Sequence, residues 1–163
     1  MGTFGSFQLP FEEDWEACSR GGRDRKEDDF GIPLCDVDQR PILVKAEEDF
    51  GSLSSLGANF NGDYPAGQAT KGPNRNGTVP VDQYPANGFG CVDQHGQVWE
   101  WTQNENEGLR RDASELLVDS GIARSLCGGA WNNNAETTAA EIRNRLDPAI
   151  HINFVGVRVS RTP

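Results

Sequence analysis

The chain has 163 residues, with 25 Asp plus Glu against 15 Lys plus Arg and a formal net charge of -10. So acidic a surface repels phosphate backbones and argues against nucleic acid as a partner, and the longest apolar runs, such as Ile42-Leu43-Val44, are far too short for membrane insertion. One domain is expected at this length, and 19 glycines with 9 prolines predict much ordered loop and few long helices.

Pro10 suits the first turn of a helix, and Glu12, Glu13 and Asp14 suit its N-terminal end, where acids oppose the helix dipole. Phe11, Trp15 and Cys18 recur at i, i+4 and i+7 as one apolar face, and Gly21-Gly22 closes the helix. Residues 24–57 are charged and aperiodic, with Pro41 to Val44 as a short strand. Residues 58–91 are rich in Gly, Asn, Pro and Asp, the composition of long ordered loops.

From Gln97 to Trp101 the pattern alternates, with both tryptophans on one side of a strand. Asp112-Ala113-Ser114-Glu115 reads as a capping box that opens a second short helix. Ser125 to Trp131 predicts a strand interrupted at Gly128-Gly129 by a bulge or a close backbone approach. Val155, Val157 and Val159 alternate with Gly156, Arg158 and Ser160 as a final half-buried strand.

The four cysteines, Cys18, Cys35, Cys91 and Cys127, form no CxxC pair, which excludes a zinc ribbon. Buried free thiols are the expectation, with one or two disulfides as the alternative. His95 and His151 are the only histidines, too few for a histidine-rich metal site. There is no Gly-x-Ser-x-Gly elbow and no phosphate loop.

Six segments, in order, resemble the formylglycine-generating-enzyme (sulfatase-modifying factor) domain family: Gln8-Leu9-Pro10-Phe11 through Arg20-Gly21-Gly22; Ala58-Asn59-Phe60; Gly77-Thr78-Val79-Pro80-Val81-Asp82 through Asn87-Gly88-Phe89-Gly90; Asp93-Gln94-His95-Gly96-Gln97-Val98-Trp99-Glu100-Trp101-Thr102; Cys127-Gly128-Gly129-Ala130-Trp131; and Gly156-Val157-Arg158-Val159. The resemblance implies an α+β class and a C-type lectin-like fold. It would hold two short helices, short twisted antiparallel strands and much ordered loop. In the enzymes a substantial segment precedes the Leu-Pro motif, which here begins almost at Met1.

The resemblance also supplies a chemical test. The family's oxidases hold copper through two cysteine thiolates just after the Gly-Gly-aromatic motif, and thiolates are what a Cu(I) site needs. Here Asn132-Asn133-Asn134 follow Trp131, and no cysteine occurs after Cys127. The expectation is therefore a noncatalytic protein with no required cofactor, the alternative being a copper-dependent oxidase or related oxygenase module. The family further implies a calcium site at Asp93, Gly96, Val98 and Glu100, two carboxylates plus carbonyls being suited to a hard cation. In the competing reading Glu100 pairs with Arg143 or Arg158.

Residues 130–155 resemble the diversified region of variable proteins from diversity-generating retroelements, many of which use this domain. Their errors fall on template adenines, so AAY asparagine codons become NNY codons, which encode no Lys, Gln, Glu, Met or Trp. After Glu141 none of those residue types occurs. The ligand-binding residues implied are Trp131, Asn132, Asn133, Asn134, Thr137, Ile142, Asn144, Leu146, Asp147, Ala149, Ile150, His151, Ile152, Asn153 and Phe154. The valines of the last strand are expected in the core, which would leave Ile150, Ile152 and Phe154 as an exposed apolar patch. The implied partner is a protein or cell-surface receptor, on a host or competitor cell, and a viral or prophage origin would suit that role.

Overall fold

A helix needs its first backbone donors satisfied, and Phe11, at the N-cap, offers no side-chain acceptor. In the computed structural model the missing acceptor comes from far along the chain, because Glu12 N donates to Asn104 Oδ1 at 2.8 Å. The helix, α1 (Glu12–Ser19), carries Glu12, Glu13 and Asp14 in its first turn, as the charge pattern predicts. Its apolar face is narrower than the spacing implies: Trp15 and Ser19 are buried, whereas Phe11 lies outside the helix and is exposed. Gly21 ends it at φ +62°, with its N–H on Cys18 O at 3.1 Å.

The structure describes residues 6–21, 52–105 and 123–161. The strand around Pro41–Val44 and the helix opened by Asp112 lie outside them. The other elements are β1 (Phe7–Gln8), β2 (Trp99–Glu105), β3 (Arg124–Cys127), a 3-10 turn (Glu136–Thr138), β4 (Arg143–Leu146), β5 (Val155–Gly156) and β6 (Ser160–Arg161). β1 and β6 form one small antiparallel pair, and the main sheet has the order β4-β3-β2-β5. Not every contact is antiparallel: β5 runs parallel to β2, pairing Trp99 with Val155 and Glu100 with Gly156. That follows from the path of the chain, which leaves the sheet at one edge after β4 and returns at the other.

The period of two along β2 divides the sheet into two faces. Trp99 and Trp101 share one face with Leu126, which lies opposite Trp101 in β3, and with Leu146 in β4. Trp99, Leu126 and Ala130 are buried there, and Trp101, Leu146, Phe154 and Val155 pack against them. Glu100, Thr102, Ser125, Cys127 and Arg143 point to the other face, which α1 covers. Trp15 Nε1 donates to Glu100 Oε2 at 2.6 Å, and Arg143 reaches Glu12 at 2.8 Å and Glu16 at 2.6 Å. Burial would raise the Glu16 carboxyl, but hydrogen bonds from Arg20 and Arg143 outweigh it and hold the group below its ordinary value. A second core gathers Leu53, Ala58, Phe60, Ala66, Ala135 and Ala139 beneath the loops.

Two sequence expectations are corrected. Cys18 is not a free thiol: it forms a disulfide with Cys91, joining the helix to the loop after Asn87. Asn87 reinforces that junction, donating to Cys18 O at 2.6 Å and accepting from Cys91 N at 3.1 Å. Cys127 does fit the expectation, being free and buried, and burial pushes its thiol up to about 12. Of the final valines, Val155 packs on the Trp99 cluster, but Val157 is 66% exposed and Val159 61%. The alternation is not one strand, because the ladder with β2 stops at Gly156 and pairing resumes with β1 only at Ser160. Phe154 joins Val155 against the Trp99 cluster.

Candidate ligand-binding face

Gly128-Gly129 sets the geometry of everything after β3. Both residues have positive φ, +92° and +70°, a region in which a side chain is strained. A Cβ on Gly128 would meet the Trp15 ring at 2.9 Å, and one on Gly129 would meet Thr138 at 2.7 Å. The chain can therefore turn here only without side chains, and it emerges as the turn that carries Trp131 to Asn134.

Of the Asp93–Thr102 motif, Gln97 holds that turn and His95 holds the 3-10 turn that follows it. Gln97, at φ +63°, accepts from Trp131 N at 3.0 Å through its backbone, and its side-chain oxygen takes Asn59 Nδ2 at 2.8 Å and Val79 N at 3.0 Å. His95 is buried between α1 and the 3-10 turn. Its Nδ1 lies 2.7 Å from Thr138 O, an acceptor, so Nδ1 carries the proton and Nε2 accepts from Ser19 Oγ at 3.3 Å. His95 thus braces the scaffold, as its place in the motif suggests.

The structure separates the fifteen expected binding residues into three groups. Asn133, Leu146 and Phe154 serve the scaffold. Asn133 Oδ1 accepts from Ala130 N at 2.9 Å, Leu146 and Phe154 pack on the Trp99 cluster, and Phe154 O receives Trp99 N at 2.9 Å. Trp131, Thr137, Asp147 and Ile152 are half-buried. Asp147 Oδ1 accepts from Ala149 N at 2.8 Å, which shapes the start of the crossing segment. Asn132, Asn134, Ile142, Asn144, Ala149, Ile150, His151 and Asn153 present their side chains to solvent. Of the expected apolar patch, Ile150 is exposed, Ile152 is half-covered and Phe154 belongs to the core.

Of the two carboxylates named for calcium, Glu100 is committed within the chain, whereas Asp93 keeps a buried Oδ1 without a hydrogen-bond partner. Both Glu100 oxygens are engaged by Arg158, at 2.8 Å each, and Oε2 also receives Trp15. Asp93 Oδ2 accepts from Asp82 N at 2.9 Å. Burial raises the Asp93 carboxyl above its ordinary value, against the pull of the Asp82 N–H and Arg158. The alternative pairing of Glu100 with Arg158 is what the chain adopts. Among the described residues no group of three His, Cys, Asp or Glu side chains is placed to hold a metal, and no helix is long and apolar enough to cross a membrane.

A helix N-terminus held by the Trp-Glu-Trp strand, a paired-glycine turn and a closing Gly-Val-Arg form the architecture of one family. The chain belongs to the sulfatase-modifying factor enzyme 1-like domain family, whose model matches residues 2–163. Among its relatives is the formylglycine-generating enzyme of Mus musculus, 29% identical over 102 residues, 63% of this chain and 23% of that protein. The enzyme of Mycobacterium tuberculosis is 62% identical over 29 residues, 18% of this chain and 10% of that protein. Two solved structures share the fold. Treponema denticola variable protein 1 has a TM-score of 0.60 and 21% identity, covering 98% of this chain and 49% of that one. PvdO from Pseudomonas aeruginosa has a TM-score of 0.63 and 22% identity, covering 96% and 53%. The chain thus spans about half the length of those structures and less of the curated relatives.

Proposed function

We propose that this chain is a noncatalytic ligand-binding domain whose C-terminal face is diversified, as in the variable proteins of diversity-generating retroelements. One observation carries the reading: from Asn132 to Leu146 the backbone is tied to the scaffold, and from Asp147 to Asn153 it is folded on itself by a local turn, while asparagine, isoleucine and histidine side chains stand in solvent. A rigid frame with adaptable polar and apolar tips suits recognition, because little ordering is left to be done on binding. The fold shared with Treponema denticola variable protein 1 supports it. The partner is a protein or cell-surface receptor. Sequencing the last thirty or so codons across a source population tests the reading, together with a search for a near-copy of that stretch beside a reverse transcriptase gene. Substitutions confined to template adenines between Asn132 and Phe154 are expected, and an invariant stretch with no template copy would refute diversification.

The enzyme reading is favoured by the relatives' names alone. Asn132, Asn133 and Asn134 occupy the stretch after Trp131, and asparagine amides are no substitute for thiolates toward Cu(I). A stoichiometric, thiol-dependent copper site in a Cu(I) titration would establish it.

A further inference from the structure

The face just proposed is the ground for a second step, which concerns its extent and its partner's chemistry. We infer that the binding surface continues onto the 61–65 loop, where Tyr64 is an aromatic anchor for an arginine or lysine side chain of a protein partner. Tyr64 is 62% exposed. Its backbone is nonetheless fixed on both sides. Tyr64 N donates to Asn61 O at 3.0 Å, and Tyr64 O accepts from Ala135 N at 3.0 Å. Asn61 N in turn donates to Asn133 O at 2.9 Å. Ala135 is itself in the buried cluster with Phe60 and Ala66. The ring therefore stands beside the Asn132–Asn134 turn on a loop that moves with it, and presenting it costs little ordering.

The charge around the ring is acidic on balance. Asp63 precedes it and Glu136 follows Ala135, both exposed, and among the described residues neither has an ion-pair partner. No Lys or Arg occurs from 58 to 70 or from 129 to 142. Of the next cations, Arg143 is committed to Glu12 and Glu16 and Arg75 donates to Ser55 O at 2.8 Å, while Lys71 is exposed beside Gly72, whose N–H bonds Gly62 O at 3.0 Å, so two carboxylates stand against one lysine. An aromatic face beside unpaired carboxylates, on a chain of net charge -10, is complementary to a guanidinium or ammonium group. Tyrosine flanked by asparagines is also the composition of protein-binding loops.

The test is a titration of the 15N-labelled chain with the tripeptide Ac-Gly-Arg-Gly-NH2, followed by amide shifts, with Ac-Gly-Glu-Gly-NH2 as control. Saturable shifts at residues 63–65 and 133–136 are expected with the arginine peptide alone, weakening as salt rises. Tyr64→Ala should lower the association constant by about two- to fivefold and Tyr64→Phe should leave it nearly unchanged. Equal shifts from the two peptides, no shifts, or indifference to Tyr64→Ala would overturn the inference. The substitution removes no backbone hydrogen bond, so the variant should fold. Tyr64 lies outside the surveyed codons, so the codon survey judges the diversified-face reading independently of this result.

Discussion

Replacing Arg158 by alanine isolates what the closing Gly-Val-Arg segment does for the fold. The side chain makes two hydrogen bonds to Glu100 at 2.8 Å each and a third to Val92 O at 2.9 Å. Glu100 keeps 9% of its side chain accessible and Arg158 27%. Stripping one partner from a fully buried pair costs about 3–5 kcal/mol, since the remaining charge stays in a poor dielectric. Arg158 is partly wet and Trp15 still donates to Glu100, so the lower end applies, about 3 kcal/mol. For a chain of this size that lowers Tm by about 6–12 °C, read by tryptophan fluorescence or calorimetry. Adding Glu100→Gln to the Arg158→Ala variant removes the stranded charge and should recover about 1–2 kcal/mol. A drop in Tm of less than about 3 °C would refute the reasoning, as would a double variant no more stable than the single one.

Asn153→Ala and Ile150→Ala, both on exposed side chains, should change stability by no more than about 0.5 kcal/mol, whereas Phe154→Ala should cost about 2–3 kcal/mol in urea unfolding. Replacing Cys18 and Cys91 together by serine opens a cross-link between residues 73 apart, and unfolding should become easier by about 3–4 kcal/mol, with a steeper denaturation slope because the unfolded chain is less compact. Burial moves the Cys127 thiol from 9.0 to about 12, so at pH 8 it holds about a thousandfold less thiolate than an ordinary cysteine. Peptide mapping after iodoacetamide should find it unmodified in the native protein and alkylated in urea. Because the unfolded thiol ionises first, this group's contribution to stability is intact below pH 9.0 and declines as pH rises toward about 12.

Short-range signals in the sequence carried much of this. The acids after Pro10, the alternation around Trp99 and the glycine pair at 128–129 each report a local backbone demand, and each is met where expected. The final strand was illegible for a definite reason. Alternation reveals which residues share a face but not where a ladder ends, and the break after Gly156 turns Val157 and Val159 outward. The disulfide was invisible because Cys18 and Cys91 approach only through tertiary structure. Which residues of the C-terminal stretch serve the scaffold was not legible. Asn133 and Asn132 are chemically identical in sequence, and only the bond from Ala130 N shows that Asn133 serves the scaffold. Tyr64 was missed because one aromatic residue in a turn-rich stretch carries no periodic signal; its importance comes from Ala135 N, seventy-one positions along the chain.

The return of the chain from β4 to β5 sets a length constraint as well as a shape. β4 and β5 occupy opposite edges of the four-strand sheet, so the eight residues 147–154 must cross three strand spacings, about 14 Å. They must also descend from the level of Arg124 to that of Trp99, which lengthens the diagonal to about 20 Å. Fully extended, such a strap reaches about 30 Å, and the turns closed by Ile150 N on Asp147 O and Val155 N on Ile152 O take up the slack. Removing two or three residues would pull those turns straight and drag Phe154 off the tryptophans. Its exposed positions, 149–151 and 153, can be exchanged at little cost, but Asp147, Phe154 and the number of residues are held by the sheet, so the strap accepts substitution there and resists gain or loss of residues.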